Sequence, residues 1–261
     1  MEAKKVHNGS NRDKKLKRKE ILEKKKAIDE IIKAASNEKD HLTSFPPFRH
    51  YDRNGLSVYM ESGSGEHLSS SMKRYIQNLL KVNMEGPYGP EWPTEEKVKR
   101  REMVAPEARY IFVREAPTAS INENSTKESN MACIHLTGDG DPLVGFVHYR
   151  FIVEEDVPLV YVYELQLEAR VQGRGLGKFL MQLIELIARK NHMGAVMLTV
   201  QKTNVSAMNF YTNKLRYTIS SISPSRVDPL IGLEKSYEIL CKAFDHESKS
   251  KLEERNFFID E

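Results

Sequence analysis

Cysteine is scarce: 261 residues hold two, Cys133 and Cys241. Two isolated thiols make no disulfide framework, and neither sits in a metal-ligand cluster. No metal is expected, and a reducing, intracellular setting fits. Long apolar runs are missing too. No stretch of 18 apolar residues occurs, so no membrane-spanning helix is expected. The start, Met1-Glu2-Ala3-Lys4-Lys5, lacks the apolar run of a secretory signal. Acids at Glu20, Glu23, Asp29 and Glu30 argue against an organelle transit peptide. Tryptophan occurs once, at Trp92.

What is present suits a folded domain with attachments. Hydrophobic residues make up 39%, enough for a core, and charged residues 30%, enough to solvate its surface. The net charge of +3 is unevenly spread. Residues 1–40 hold 13 Lys or Arg against 8 Asp or Glu, a net of +5, which leaves −2 for the rest. Three regions are expected: a basic arm with an amphipathic helix over 1–40, a folded domain over 41–244, and a charged tail over 245–261. A basic arm favours anionic partners or an import receptor, and a weakly acidic body does not repel a cationic substrate.

Apolar residues from Leu16 to Ala35 recur at helical spacing and predict a helix from about Lys14 to Asn37. Pro46-Pro47 forbids a helix at that point. Asp52-Arg53-Asn54-Gly55 reads as a turn before a strand over Leu56–Glu61. A helix is expected at 70–84, an aromatic loop at 84–93, and a short helix at 94–103 capped by Thr94 with Lys97–Arg101 exposed. Residues 109–114, 132–136, 143–153 and 159–167 read as strands, with a polar excursion at 117–130. Leu176–Lys190 reads as a strong helix, Ala195–Val200 as a buried strand and Asn204–Leu215 as another helix. Segments 217–222 and 236–242 predict a pair of strands. Alternating strands and helices over 159–222 argue a mixed α/β fold.

The informative segment lies between strand and helix: Gln172-Gly173-Arg174-Gly175-Leu176-Gly177-Lys178. Glycines let the backbone turn tightly and approach a ligand, and the helix that follows offers free N–H groups to an anion. Arg174 and Lys178 add positive charge, so a pyrophosphate is the natural guest. A plain strand–helix turn has the same glycines. The segment is no P-loop, since Phe179 follows Gly177-Lys178, and Lys178 breaks a dinucleotide fingerprint.

Gln172-x-x-Gly175-x-Gly177, with Asn204-x-x-Ala207-x-x-Phe210-Tyr211 downstream, resembles the cofactor motif of the GNAT acetyltransferase superfamily. Tyr51-Asp52-Arg53-Asn54-Gly55-Leu56, Tyr161-x-Tyr163-Glu164-x-Gln166-Leu167-Glu168, Gly175-Leu176-Gly177-Lys178-Phe179-Leu180 and Tyr237-Glu238-Ile239-Leu240 are similar to the N-terminal acetyltransferase D family. This resemblance covers about residues 45–242. It implies a central, mostly antiparallel sheet, splayed at the cofactor site and flanked by helices. It also implies acetyl-CoA as cosubstrate and the N-terminal tails of histone 4 and histone 2A, which begin Ser-Gly-Arg-Gly, as acceptors.

The resemblance assigns roles residue by residue. Leu165, Gln166, Leu167, Gln172, Gly173, Arg174, Gly175, Leu176, Gly177, Lys178, Asn204 and Tyr211 are expected at the cofactor. Glu164 is expected to remove the amine proton through water; the bland alternative is a solvent-facing strand Glu. Tyr211 is either the acid for the departing sulfur or a packing residue. Tyr161, Tyr163, Glu164, Tyr88, Trp92, Glu154 and Tyr237 are expected around the acceptor, though Trp92 suits a core equally well. In a regular strand Tyr161 and Tyr163 share one face and Glu164 the other, so a bulge near Glu164 is needed to bring all three together. Of two acids the family places near Phe151, one position is Ile152 here and Glu154 keeps the other; Glu155 or Asp156 either compensates or is an exposed loop acid.

The Lys14–Lys19 and Lys24–Lys26 runs resemble a nuclear import signal, and ribosome contact during translation is a further expectation. Nucleus and cytoplasm are the expected locations and a monomer the expected state. Three other readings stand beside this one: an acetyltransferase for another N-terminus, a lysine or a small amine; a nucleic-acid-binding module, supported by the arm alone; and a dead cofactor-binding scaffold, against which Glu164 and the glycine loop argue.

Overall fold

The computed structural model describes residues 8–116 and 140–254, with side chains from residue 13 onward. The excursion expected at 117–130 and the strand at 132–136 lie outside the described residues, as does Cys133.

Among the described residues eight strands form one sheet: β1 (His50–Arg53), β2 (Leu56–Ser64), β3 (Arg109–Glu115), β4 (Leu143–Glu154), β5 (Val157–Leu167), β6 (Ala195–Gln201), β7 (Thr218–Ile219) and β8 (Tyr237–Ala243). Their order is β1-β2-β3-β4-β5-β6-β8-β7. Every neighbouring pair is antiparallel except β5–β6, which is parallel and spans a crossover. Helices α1 (Asn8–Asn37), α2 (Ser70–Tyr88), α3 (Trp92–Glu102), α4 (Leu176–Lys190), α5 (Val205–Asn209), α6 (Pro224–Val227), α7 (Pro229–Glu234) and α8 (His246–Leu252) surround it. The mixed α/β fold expected from the sequence is present.

Local chemistry explains the tight connections. Asn54-Gly55 and Glu155-Asp156 both take positive φ, the geometry of two-residue hairpin turns that match strand twist. Leu176, Leu180, Leu183, Ile184 and Ile187 form one buried stripe of α4 against the sheet. The C-terminal half of α1 joins the same face through Ile31, Ile32 and Ala35, while Leu16, Ile21 and Leu22 stay exposed. On the opposite face, α2 and α3 pack Tyr75, Ile76, Leu80, Trp92 and Met103 onto Tyr110, Phe112 and Phe146. Helix α8 buries Leu252 against Cys241 and Met197, so packing continues past the expected boundary at 244.

Several expectations need correction. Helix α1 begins at Asn8 rather than near Lys14. The loop expected at 84–93 is helical through Tyr88; the helix accommodates Pro87 in its last turn and ends at Gly89, which takes positive φ. Helix α3 starts at Trp92, so Thr94 lies inside it and does not cap it. Lys99, expected on an exposed face, is turned inward with its side chain only 11% exposed. The helix expected over 204–215 is α5 followed by a wider π-type turn, Phe210–Lys214.

Candidate active site

Strands β5 and β6 pair only from Leu159/Ala195 to Val162/Leu198. Beyond that point β5 continues to pair with β4 as far as Leu167, and β6 with β8 as far as Gln201. A wedge therefore opens between Tyr163–Leu167 and Thr199–Gln201. This is the splay, and it leaves one edge of β5 without a strand partner.

The glycine loop closes one end of the wedge. Gly173 and Gly175 have φ of +71° and +87°, so the chain bends in a way a side chain would resist. A Cβ on Gly175 would lie 2.8 Å from the Tyr51 hydroxyl, whereas one on Gly173 would meet nothing within 4 Å. No side chain caps α4. Phe179 N–H is the first to bond back, to Gly175 O at 3.2 Å. The N–H groups of residues 175–178 thus project from the helix end, where the dipole is positive. The open face over Gly173 and these donors fit a pyrophosphate.

Side chains hold this loop in shape from a distance. The Tyr51 hydroxyl and Asn54 Nδ2 donate to Arg174 O, the latter at 2.9 Å, and the Arg174 guanidinium donates to Gly55 O at 2.8 Å. Arg174 is therefore tied to the β1–β2 turn, while Lys178 is exposed. Gln172 Nε2 donates to Leu167 O at 2.9 Å. Leu176 is buried, so only its backbone faces the wedge.

Across the wedge lies an inner chamber of about 230 Å³. Tyr161, Tyr163, Glu164, Leu165, Gln166, Asn204 and Tyr211 all line it. A β-bulge makes this possible. His148 pairs with Glu164 and Tyr149 with Val162, so Tyr163 is the extra residue. The alternation resets there, and Tyr161, Tyr163 and Glu164 reach one space.

Glu164 is 7% exposed and fully engaged. Lys99 donates to its Oε1, and Gln166 Nε2 to its Oε2 at 2.8 Å. Asn83 Nδ2 in turn donates to Gln166 Oε1 at 2.9 Å. The side chain of Gln166, expected at the cofactor, thus orients the carboxylate instead. Burial works against the charge on Lys99, but Glu164 and Tyr88 outweigh it and raise its pKa above the usual lysine range. Burial, aided by Glu164, raises the pKa of Tyr211 above the usual phenol range. Tyr161 is pushed up to about 12, first by burial. Asn204 caps α5, accepting from Ala207 N–H at 3.1 Å.

An outer chamber of about 490 Å³ shares Tyr88, Glu95, Thr199 and Gln201 with the inner one. Glu91, Glu234, Lys235 and Tyr237 also line it, so acids outnumber the one lysine in its wall. Gln201 is 5% exposed, and its Oε1 is buried with no hydrogen-bond partner.

Two expected acceptor residues lie elsewhere. Trp92 is 3% exposed and packs in the core with Tyr88, ring centroids 5.9 Å apart, so it backs the chamber without lining it. Glu154 lines neither chamber; it ends β4, with its pKa raised by partial burial and by Glu155. Ile152 packs into the cluster around Leu159 and Met197. Residues missed in the sequence include Lys99, Asn83, Gln201, Glu95 and Glu102. For Lys99 a signal exists: it lies seven residues after Trp92 and four before Met103, on the buried stripe of α3.

Residues 87–216 match the acetyltransferase (GNAT) family. The chain is a GNAT acetyltransferase. Its acetyl donor is acetyl-CoA. Among the described residues no group of three or more His, Cys, Asp or Glu is placed to hold a metal. Solved structures with a similar outline include the PaiA N-acetyltransferase from Thermoplasma acidophilum in complex with coenzyme A, at 16% identity, covering 72% of this chain and 100% of that one, with a TM-score of 0.46. The NatC complex bound to Gag peptide and CoA is 15% identical over 71% of this chain and 99% of that one, with a TM-score of 0.45. An IAA acetyltransferase from Bacillus cereus is 14% identical over 72% and 100%, also with a TM-score of 0.45.

Proposed function

We propose that this GNAT acetyltransferase acetylates the α-amino group of protein N-termini, and that its acceptors are the Ser-Gly-Arg-Gly starts of histone 4 and histone 2A. The observation that carries the reading is the bulge at Tyr163, which gathers Tyr161, Tyr163 and Glu164 into one small chamber beside the splay. A space of about 230 Å³ favours a small first residue. Glu91, Glu95 and Glu234 outnumber Lys235 around the outer chamber and favour a basic continuation.

Bound acetyl-CoA supplies a thioester carbonyl as electrophile. The free N–H groups at 175–178 hold its phosphates, and the unpaired edge of β5 at Leu165–Leu167 meets its pantetheine and polarises the carbonyl oxygen. Glu164 takes the amine proton through a water. Tyr211, kept protonated by burial, gives its proton to the sulfur as the carbon–sulfur bond breaks. The exposed stretch of α1 from Asp13 to Lys26, with its lysine runs, serves import into the nucleus or contact with the ribosome, and the protein acts as a monomer in nucleus and cytoplasm.

Mass spectrometry of Ser-Gly-Arg-Gly peptides with free and blocked α-amines tests acceptor and reaction together. Acetylation of the free amine alone supports the reading, and acetylation of an internal lysine in the blocked peptide overturns it. A polyamine also suits the acidic outer chamber, and spermidine in the same assay measures that second reading.

A further inference from the structure

An amine acceptor meets a problem in this chamber. A peptide α-amine has a pKa of about 8 in water, so most of it is protonated at neutral pH. A lone buried carboxylate beside it favours the ammonium form further and traps the acceptor as a cation that cannot attack. Glu164 is not alone. Lys99 reaches it from α3, with both side chains nine-tenths buried or close to it, 11% and 7% exposed. Lys99 itself lines the inner chamber and stands 5.5 Å from the centre of the Tyr88 ring.

Groups from every surrounding element bear on this pair. Gln166 on β5 holds the second oxygen of Glu164. From α3, Glu95 and Glu102 both line the chamber, Glu102 half-buried near Lys99. Arg150 on β4 stacks over Tyr163 at 4.3 Å and donates to Glu102 O at 2.7 Å. Tyr88 on α2, Tyr110 on β3 and Tyr211 are neutral phenols, and buried His148 on β4 has its pKa held well below the usual imidazole range. Three carboxylates thus face two cations. Removing Lys99 leaves three carboxylates facing one.

We infer that Lys99 is a further functional residue of the transfer reaction: its ammonium neutralises Glu164 and so keeps the acceptor amine beside it in the neutral, nucleophilic form. The inference rests on the α-amine reading above. Gln166 and Asn83 keep Glu164 aimed into the chamber while Lys99 removes the excess negative charge. The amine then loses its proton to water or Glu164 at a pH below its solution pKa.

The test is the pH dependence of kcat, which reports the bound state, with Ser-Gly-Arg-Gly peptide and acetyl-CoA both saturating. In the unaltered enzyme the acidic limb should lie below the titrated pKa of the same peptide's amine. Lys99→Met should move that limb up by about one pH unit, with a loss of about tenfold at pH 7 that is recovered toward pH 9. Lys99→Arg, which keeps a charge, should leave the limb in place. Acetyl-CoA affinity, measured by calorimetry, should stay the same in both variants. A wild-type limb at or above the free amine's pKa overturns the inference without using any variant. So does a Lys99→Met limb that has not moved. Failure of the unaltered enzyme to acetylate a free α-amine at any pH would instead sink the acceptor reading itself.

Discussion

The loop at 172–178 offers main-chain N–H groups shaped by glycine, whereas the inner chamber beside it offers side chains drawn from α2, α3, β5, β6 and the segment around Tyr211. The first needs its own seven residues, the start of α4 and the grip of one distant hairpin turn on Arg174. The second exists only once the whole sheet and both helices behind it are in place. Damage should therefore take different forms on the two sides. The loop should lose donor affinity residue by residue, and the chamber should lose turnover or fold as a unit.

Trp92→Ala should have the largest effect. A buried indole removed from behind Tyr88 leaves a cavity costing about 3–5 kcal/mol, seen as a lower unfolding midpoint in urea. If stability holds and only peptide KM rises, Trp92 is a chamber wall after all. Glu164→Gln comes next, with kcat lower by roughly a thousandfold and acetyl-CoA affinity intact. Equal loss of both would erase the distinction between the two regions. Gly175→Val should then weaken acetyl-CoA by roughly a hundredfold in calorimetry, since φ of +87° and the Tyr51 hydroxyl both oppose a side chain there. Tyr51→Phe removes one donor to Arg174 O, a change of about 1 kcal/mol or fivefold in donor affinity.

The fold itself should also depend on pH. Burial lowers the pKa of His148 and His41 below the ordinary 6.5. Both are neutral when folded, so their contribution is complete above that value. As pH falls below 6.5 the unfolded chain takes up protons first and stability declines, by up to about 1.4 kcal/mol per pH unit for each histidine. His148→Phe should flatten part of this slope in urea titrations at pH 5 and 7.

The sequence shows the loop and its helix well because their signals are local. Leu176–Lys190 matches its apolar period from end to end. Tyr51, quoted for its resemblance alone, and Asn54, read as part of a turn, grip the loop's carbonyl. The chamber is less legible because its signals are spread out. Tyr161, Tyr163 and Glu164 cannot share one space in a regular strand, and only the pairing of β5 with His148 and Tyr149 on β4 reveals the extra residue. Lys99 sits in a run of charges, Lys97 to Arg101, whose composition says solvent while its spacing from Trp92 says core. Composition misleads there because the partner, Glu164, is 65 residues away.

The grip of the β1–β2 turn on Arg174 joins residues 120 positions apart. During synthesis the hairpin therefore emerges long before the loop it holds. A nascent chain shorter than the loop has no place for a coenzyme, and competence to bind it arrives late, together with the first turn of α4. A chain stalled on the ribosome short of that point should be inert toward acetyl-CoA even with its first five strands complete.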